Sequence, residues 1–366
     1  MKHVFRIMAA ASTVALATVA ADAKTLTYGT YLSARHATNV TSVLPWMEAV
    51  EKATGGSLTF NLAADGTLVG GRDSLQGIRD GLIDMSTIVD FYTPNELKTS
   101  TILTELAMLG TDAAAMTGAI NEMQLLNCPS CLEEGEENNL KILAIYASAP
   151  YHFICNKPFE TLESLHGARV RATGAWAIFA TSIGATPVNI TSGEQYEALQ
   201  RGQVDCTLIN VPALTNYSLF EVAKYVIDVP IGTFHGAHVY NASTTVWEGL
   251  TDEEKKAFVD NIPQAIANLT EGAIAEEAHA RKVATEAGVV FAEPDPALVE
   301  AIEKFKKTEL ERVAELARSR GLENPEPMFD RFQEVIAKWN DLAGTIGDDW
   351  DAYANALKTE IYDKID

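Results

Sequence analysis

The stretch GARVRATGAWAIFATSIGATPVNITSGEQYEALQRGQVDCTLIN, residues 167–210, decides how this chain folds. Short apolar runs at its start, middle and end predict three strands, and the two segments between them have the apolar spacing of helices. Gly184 and Gly202 lie where the C-caps of these helices are expected, and Ser192 begins the second helix. A β-α-β-α-β unit of this kind predicts a mostly parallel sheet with helices on both faces.

The same alternation occurs in the amino-terminal part of the chain. Strands are predicted over 25–32, 57–63 and 82–89, with helices between them. A strand at 234–244 is expected to return to this first unit, and the residues after it are almost wholly helical. They begin with one long helix from Thr251 to about Ala287, which we expect to brace both units. Two such units predict two lobes with a ligand cleft between them, outside the carboxyl ends of the strands.

The expected fold class is therefore α/β, with two lobes that are each a mixed, mostly parallel sheet flanked by helices. We expect the first lobe to contain residues 24–150 and about 234–275. The second lobe is expected to contain residues 151–233 and about 276–343, and a C-terminal helix is expected over 344–366. The length of 366 residues suits two domains.

The first 23 residues have the pattern of a secretory signal peptide. Lys2 and Arg6 precede an apolar run at 7–20, and residues 21–23, Ala-Asp-Ala, form a small-x-small cleavage site. The run is too short to span a bilayer, so the sequence predicts export. The formal net charge of −22 makes nucleic acid and anionic membrane surfaces poor partners. An anionic ligand would need a local cationic site.

Arg169 and Arg171 supply two cations with no adjacent acid. Arg171 lies near the carboxyl end of its strand, just before a helix start at Thr173-Gly174, and is the better placed to reach the cleft. Arg169 lies one pleat earlier and is assigned to the scaffold. A guanidinium offers a planar fork that matches a carboxylate, although a surface arginine in an ion pair is the commoner case.

A set of short motifs over residues 156–210 is more specific than the strand and helix pattern. The motifs are Asn156-Lys157-Pro158, Gly167, Arg169, Arg171, Gly184-Ala185-Thr186-Pro187-Val188, Glu194, Tyr196, Ala198-Leu199, Gly202 and Val204-Asp205. With them the run resembles the substrate-binding proteins of tripartite ATP-independent periplasmic (TRAP) transporters, the DctP-type family. The Gly-rich turn and helix over residues 66–85 are similar to that family too, so the resemblance covers essentially the whole mature chain.

The resemblance implies a periplasmic-binding-protein-like receptor that closes on a small organic acid and delivers it to an ion-gradient-driven permease. It implies a periplasmic monomer without cofactor, metal or catalytic residue, and it implies that Arg171 binds the ligand carboxylate. Tyr151-His152 stands where some relatives carry a second carboxylate-binding arginine. This departure favours a monocarboxylate or a ligand with a flat apolar part.

Further candidates for ligand contact come from strand ends and from aromatic residues near the expected cleft. They are Trp176, Asn210, Tyr92, Tyr151, His36 and Phe234. For Trp176, core packing and ligand contact are equally open, because its helix carries other apolar residues. A lone histidine such as His36 is more often a surface residue than a ligand contact.

Four cysteines in an exported chain allow disulfides in three connectivities. Cys128 and Cys131 form a Cys-x-x-Cys pair, and a structural disulfide is preferred over a redox or zinc site because no thioredoxin-like unit or second ligand pair accompanies it. Cys155 and Cys206 lie on strands expected to be neighbours and form the natural second pair. An exported thiol-redox protein using Cys128 and Cys131, and a periplasmic sensor module for an organic acid, stay open as alternative functions.

Overall fold

The computed structural model describes residues 23–365, so the predicted signal peptide lies, apart from its last residue, outside the described residues. The strands of this part are β1 Lys24–Gly29, β2 Leu58–Ala63, β3 Met85–Ser86, β4 Ile88–Val89, β5 Leu140–Lys141, β6 Ile145–Tyr146, β7 Tyr151–Cys155, β8 Arg169–Arg171, β9 Thr186–Val188, β10 Cys206–Asn210, β11 Tyr225–Ile227, β12 Ala237–His238, β13 Ala242–Ser243 and β14 Val290–Ala292.

The helices are α1 Leu44–Ala53, α2 Ser74–Arg79, α3 Lys98–Thr104, α4 Ala113–Asn127, α5 Pro129–Glu137, α6 Ala175–Ser182, α7 Gln195–Gln200, α8 Ala213–Asn216, α9 Thr244–Glu248, α10 Asp252–Asp260, α11 Ile262–Glu286, α12 Pro296–Lys307, α13 Glu309–Ser319, α14 Glu326–Ile346 and α15 Trp350–Glu360. Short π-helical or 3₁₀ turns occupy Asn39–Val43, Asp90–Tyr92, Glu163–Leu165, Ser192–Glu194, Leu219–Glu221 and Tyr362–Lys364. Within residues 23–365, no helix combines the length and the apolar composition needed to cross a bilayer.

The strands form two groups of sheets, which define two lobes. The second lobe contains a six-stranded sheet in the order β14-β11-β7-β10-β8-β9, in which β8 lies parallel to both β9 and β10. The β-α-β-α-β unit predicted over 167–210 is therefore confirmed. The first lobe contains the parallel sheet β2-β1-β3 and two small antiparallel sheets, β4-β12-β6 and β13-β5. The single strand predicted over 234–244 is two short strands, β12 and β13, and both pair with strands of the first lobe.

Each lobe has its own apolar core. Trp46, Tyr240 and Trp339 are among the buried residues of the first core, and Phe153 and Phe179 are among those of the second. Helix α11 contributes to both, because its residues 262–269 pack in the first core and Ala280 and Ala284 pack in the second. This helix joins the lobes, as the sequence predicts. The expected continuous helix from Thr251 is interrupted at Asn261, where Pro263 in the following turn lacks the N–H that a continuous helix would use.

The carboxyl-terminal helices are distributed differently from the sequence-based division. Leu298, Ile302 and Phe305 of α12 pack in the second core, whereas α13, α14 and α15 pack in the first. We therefore propose that residues 276–307 belong with the second lobe and residues 309–360 with the first, in place of a second lobe extending to residue 343. The sequence of an amphipathic helix shows which face is apolar, but it does not show which lobe that face packs against.

Candidate functional site

A cavity of about 90 Å³ lies between the lobes, where the carboxyl ends of β1, β4, β8 and β10 converge. Six of the seven residues proposed from the sequence line it, namely Arg171, Tyr92, Tyr151, Asn210, His36 and Phe234. The lobes are in contact around the cavity, since Val89, Phe91 and Tyr92 of the first lobe pack in the second core. The structure therefore shows the closed arrangement of the two lobes.

Arg171 is the only lysine or arginine that lines the cavity in the part of the chain that the structure describes. It is 2% exposed, and its Nε and Nη1 donate to the carbonyl oxygens of Ile190 at 3.1 Å and Leu208 at 3.4 Å. Its Nη2 donates to the phenolic oxygen of Tyr92 at 3.1 Å. No Asp or Glu among residues 23–365 forms an ion pair with it, so the buried cation has no directly paired acid, an arrangement that is costly unless an anion binds there.

Arg169 has the scaffold position predicted for it. Its guanidinium pairs with Asp205 at 3.0 Å, and the Arg169 side chain is 47% exposed. The hydrogen bond to Asp205 raises the pKa of Arg169. The two arginines of the strand therefore have different surroundings. Arg169 is exposed and paired with Asp205 of its own lobe, whereas Arg171 is buried at the cavity.

Tyr92 carries a proton that its protein neighbours do not use. Its phenolic oxygen accepts hydrogen bonds from Arg171 Nη2 at 3.1 Å and from the backbone N–H of Ser192 at 2.8 Å. A phenolic oxygen has two acceptor positions and one O–H donor. With both acceptor positions filled, the O–H of Tyr92 is left to donate to an acceptor in the cavity.

His36 and Asn210 supply further uncharged donors. The backbone N–H of Thr38 donates to His36 Nδ1 at 3.2 Å, which places the ring proton on Nε2. Burial lowers the pKa of His36 to about 4, so the ring is neutral at pH 7. Asn210 Oδ1 accepts from the backbone N–H of Ala213 at 3.2 Å, which leaves the Asn210 NH₂ group as a donor. The groups of His36 and Asn210 that are left to donate are therefore neutral.

The walls of the cavity are aromatic. Tyr151 stacks on Trp176 with ring centroids 4.7 Å apart, and the ring centroid of Phe234 lies 6.4 Å from that of Tyr151. Trp176 is fully buried and does not line the cavity, so its interpretation as a ligand contact is corrected to that of a support behind Tyr151. The physical reason is that its side chain packs inward with the other apolar residues of α6.

Three further tyrosines that line the cavity were missed by reasoning from the sequence: Tyr31, Tyr146 and Tyr217. Tyr31 and Tyr146 follow or end strands of the first lobe, as Tyr92 does, and the strand-end rule that selected Tyr92 could have found them. Tyr217 follows the short helix α8 and carries no such signal. Burial raises the pKa of Tyr146 to about 12, so this hydroxyl keeps its proton at neutral pH.

Both predicted cysteine pairs are disulfides. Cys128–Cys131 lies at the junction of α4 and α5, and Cys155–Cys206 joins the neighbouring strands β7 and β10. Cys128 and Cys131 are 3% and 0% exposed and pack in the first core, away from the cavity. A redox centre needs access to its partner thiols, and burial leaves this pair little of it.

The family model of the bacterial extracellular solute-binding protein, family 7, DctP, matches residues 28–316. A marine-metagenome TRAP solute-binding protein specific for aromatic acid ligands, solved with 3-hydroxybenzoate, is similar at a TM-score of 0.77 and 21% identity, covering 87% of this chain and 99% of that one. A TRAP solute-binding protein from Rhodoferax ferrireducens T118, solved with copurified benzoate, is similar at a TM-score of 0.76 and 20% identity, over 87% of this chain and 99% of that one.

Among curated proteins, the outer membrane transporter protein TsaT of Comamonas testosteroni is 22% identical over 296 residues, which are 80% of this chain and 86% of that protein. The solved structures show the two-lobed fold, and the family model covers well over half of the chain. This chain belongs to the DctP family, family 7 of the bacterial extracellular solute-binding proteins.

Proposed function

We propose that this protein is a periplasmic receptor that binds a small aromatic monocarboxylate between its lobes and delivers it to a TRAP permease. The observation that carries the proposal is the buried guanidinium of Arg171, which faces a cavity and lacks an acidic partner among residues 23–365. In this role the protein carries out no catalysis. It acts as a monomer and does not bind nucleic acid.

The donors around the cavity fit one carboxylate. Arg171 supplies the positive charge and a guanidinium fork, and the O–H of Tyr92 is left free to donate beside it. His36 Nε2 and Asn210 Nδ2 add donors without adding charge. A second carboxylate would find no second cation in the cavity lining, which favours a monocarboxylate over a dicarboxylate.

The shape and lining of the cavity favour a small flat body. Its volume of about 90 Å³ corresponds to roughly six to nine water positions, at about 10–15 Å³ each. Tyr151 is held flat by Trp176, so it offers a rigid ring face to a ligand ring. Three similar solved proteins carry 3-hydroxybenzoate, benzoate and mandelate, all of which are aromatic monocarboxylates. Other similar proteins carry galacturonate or pyroglutamic acid, so the fold alone does not select the ligand.

The test is calorimetric titration of the mature protein with benzoate, 3-hydroxybenzoate, mandelate and succinate, after a thermal-shift screen of a wider acid library. We expect an aromatic monocarboxylate to bind and succinate to bind much more weakly. Arg171→Ala should weaken binding by roughly 10- to 150-fold, because a hydrogen bond to a charged group contributes about 1.5–3 kcal/mol. Arg169→Ala is the matched control from the same strand and should bind as the wild type does.

Two results would contradict this proposal. One is binding of succinate with an affinity equal to that of every aromatic acid. The other is an Arg171→Ala variant that unfolds at the wild-type temperature without ligand and still binds the acid with wild-type affinity. The unliganded unfolding temperature separates loss of the site from loss of the fold.

A further inference from the structure

Arg72 connects the two lobes at the rim of the cleft. It follows the Gly70-Gly71 turn before α2 in the first lobe, it is exposed, and it does not line the cavity. Its Nη2 donates to the side-chain Oδ1 of Asn189 at 2.8 Å and to the Asn189 carbonyl oxygen at 3.4 Å. Asn189 follows β9 in the second lobe, so these hydrogen bonds exist only when the lobes are together.

Arg72 also contacts the residue that touches Arg171. Its Cζ lies 5.3 Å from the centroid of the Tyr92 ring, in a cation–π arrangement. The hydroxyl of the same ring accepts from Arg171 and from the backbone N–H of Ser192. Arg171 in turn donates its Nε to the carbonyl oxygen of Ile190. Arg72 and Arg171 therefore both contact Tyr92, and both contact one segment of the second lobe, residues 189–192.

This segment, which we name the NITS segment after Asn189-Ile190-Thr191-Ser192, is held in a fixed shape. Glu194 accepts from the backbone N–H and the hydroxyl of Thr191, each at 2.7 Å, in a capping box. The hydrogen bond from Thr191 lowers the pKa of Glu194, and the nearby charges of Arg72 and Arg171 lower it further. The Ser192 hydroxyl donates to the Tyr31 hydroxyl of the first lobe at 3.4 Å. Because the segment is rigid, a contact made at Asn189 also affects the position of Ser192.

A surface arginine of this acidic chain would ordinarily pair with a carboxylate. Arg72 forms no ion pair among residues 23–365, and instead its partners are an amide and an aromatic face near the ligand cavity. Such partners give a weak contact that water can replace when the lobes separate. A weak, exposed contact suits a receptor that must both close and reopen.

We propose that Arg72 is a latch, a positioning residue that stabilises the closed lobes through Asn189 and so lengthens the time that the ligand remains bound. This inference rests on the proposed acid-binding function. Arg72 does not line the cavity, so its effect on affinity comes only through the population of the closed form. Binding of a carboxylate at Arg171 holds the NITS segment and Tyr92 in the positions that Arg72 needs, and the Arg72 contact in turn slows reopening.

The kinetic test uses benzoate as the probe and stopped-flow protein fluorescence as the readout. Arg72→Ala should raise the dissociation rate and the Kd by roughly three- to tenfold, the effect of one hydrogen bond, with little change in the association rate. Asn189→Asp should have the opposite effect, because a guanidinium–carboxylate bond is stronger than a guanidinium–amide bond. The gain from Asn189→Asp should vanish when it is combined with Arg72→Ala. Arg79→Ala, a neighbouring exposed arginine on α2, is the control and should leave both rates unchanged.

The structural test measures the distance between spin labels on the two lobes. All four cysteines are in disulfides, so cysteines introduced at the exposed positions Leu68 and Gln203 take the labels. With benzoate, Arg72→Ala should shift the distance distribution toward the open form relative to the wild type. A dissociation rate and a distance distribution that match the wild type would overturn the latch. So would an effect of Asn189→Asp that is the same with and without the Arg72→Ala substitution.

Failure of the acid-binding proposal has a different signature. If the wild type binds no aromatic acid, the proposed function fails, and the latch is then decided on the ligand-free protein. A smaller closed fraction in Arg72→Ala than in the wild type supports the latch. Equal closed fractions overturn it.

Discussion

Replacing Gly174 by alanine should prevent full closure of the lobes while leaving each lobe folded. Gly174 precedes α6 in the second lobe and has φ +51° and ψ −134°, a conformation that L-residues rarely adopt. A Cβ at this position would overlap with Cε1 and Cζ of Phe91. Phe91 belongs to the turn after β4 in the first lobe. The overlap therefore exists in the closed form and disappears when the lobes separate.

Two energies follow from this geometry. The backbone conformation costs alanine about 1–3 kcal/mol in any form that keeps it, so the folding stability falls by this amount. The overlap with Phe91 adds a cost in the closed form alone, and overpacking of a filled interface costs typically about 1–3 kcal/mol. The second energy appears in binding, because the ligand is held by the closed form. It corresponds to a Kd about 5- to 150-fold higher.

The assay is calorimetric titration with benzoate, combined with urea unfolding of the unliganded protein. Gly202→Ala is the matched control, because Gly202 has φ +64° and a Cβ added to it would meet no heavy atom within 4 Å. It should lose stability to a similar extent and keep wild-type affinity. Combining Gly174→Ala with Phe91→Ala should recover part of the affinity lost. Equal Kd values for Gly174→Ala and Gly202→Ala would refute the argument that Gly174 is required for closure.

Three further outcomes are expected. Burial raises the pKa of Glu309 to about 7, so the contribution of this carboxyl group to stability is full below pH 4.5 and is lost as the pH rises through 7. The unfolding free energy of Glu309→Gln minus that of the wild type should therefore rise by about 3 kcal/mol between pH 4.5 and 8. A difference that stays constant with pH would contradict this. A disulfide that closes a longer loop stabilises the fold more, because it removes more conformational entropy from the unfolded chain. Replacing both cysteines of Cys155–Cys206, which are 51 residues apart, by serine should therefore lower the unfolding free energy in urea by roughly 4 kcal/mol, whereas the same change at Cys128–Cys131, which are 3 apart, should lower it by roughly 1.5–2 kcal/mol. Equal losses would contradict this reasoning. Tyr92→Phe should raise the Kd for benzoate about 3- to 10-fold in calorimetry, because it removes both the free O–H and an acceptor of Arg171; an unchanged Kd would show that the hydroxyl does not contact the ligand.

Local sequence signals predicted the second lobe well and the first lobe less completely. The unit over 167–210 has glycines at the helix ends and a short strand pattern between its helices, and these signals are local. The run over 82–89 was predicted as one strand, but it forms β3, which pairs with β1, and β4, which pairs with β12. The neighbouring strands β5 and β6 also have different partners, since β5 pairs with β13 and β6 pairs with β12. An apolar pattern predicts extended chain, whereas the change of partner depends on residues that are far away in the sequence.

The site was predictable where one strand end supplied the residue. Arg171 and Tyr92 each end or follow a strand, and both line the cavity. The contacts between them were not predictable, because they join lobes that are far apart in sequence. The same holds for Arg72 and Asn189, whose types are ordinary for an exposed turn and whose pairing is set by how the lobes close. Sequence patterns thus indicate which residues face a cleft, while the partners across the cleft depend on tertiary geometry.

The charges of this chain are compatible with the proposed binding of a singly charged anion by an acidic protein. Exposed acids beyond about 10 Å are screened at physiological salt, whereas a contact with buried Arg171 is screened much less. One guanidinium can neutralise one carboxylate, and the neutral donors of Tyr92 and His36 add hydrogen bonds without a second positive charge. A dicarboxylate would bury one uncompensated charge against aromatic walls, which costs several kcal/mol. In the proposed function, the single cation of the cavity lining would select ligands by charge, and the tyrosines and Phe234 around it would select them by shape.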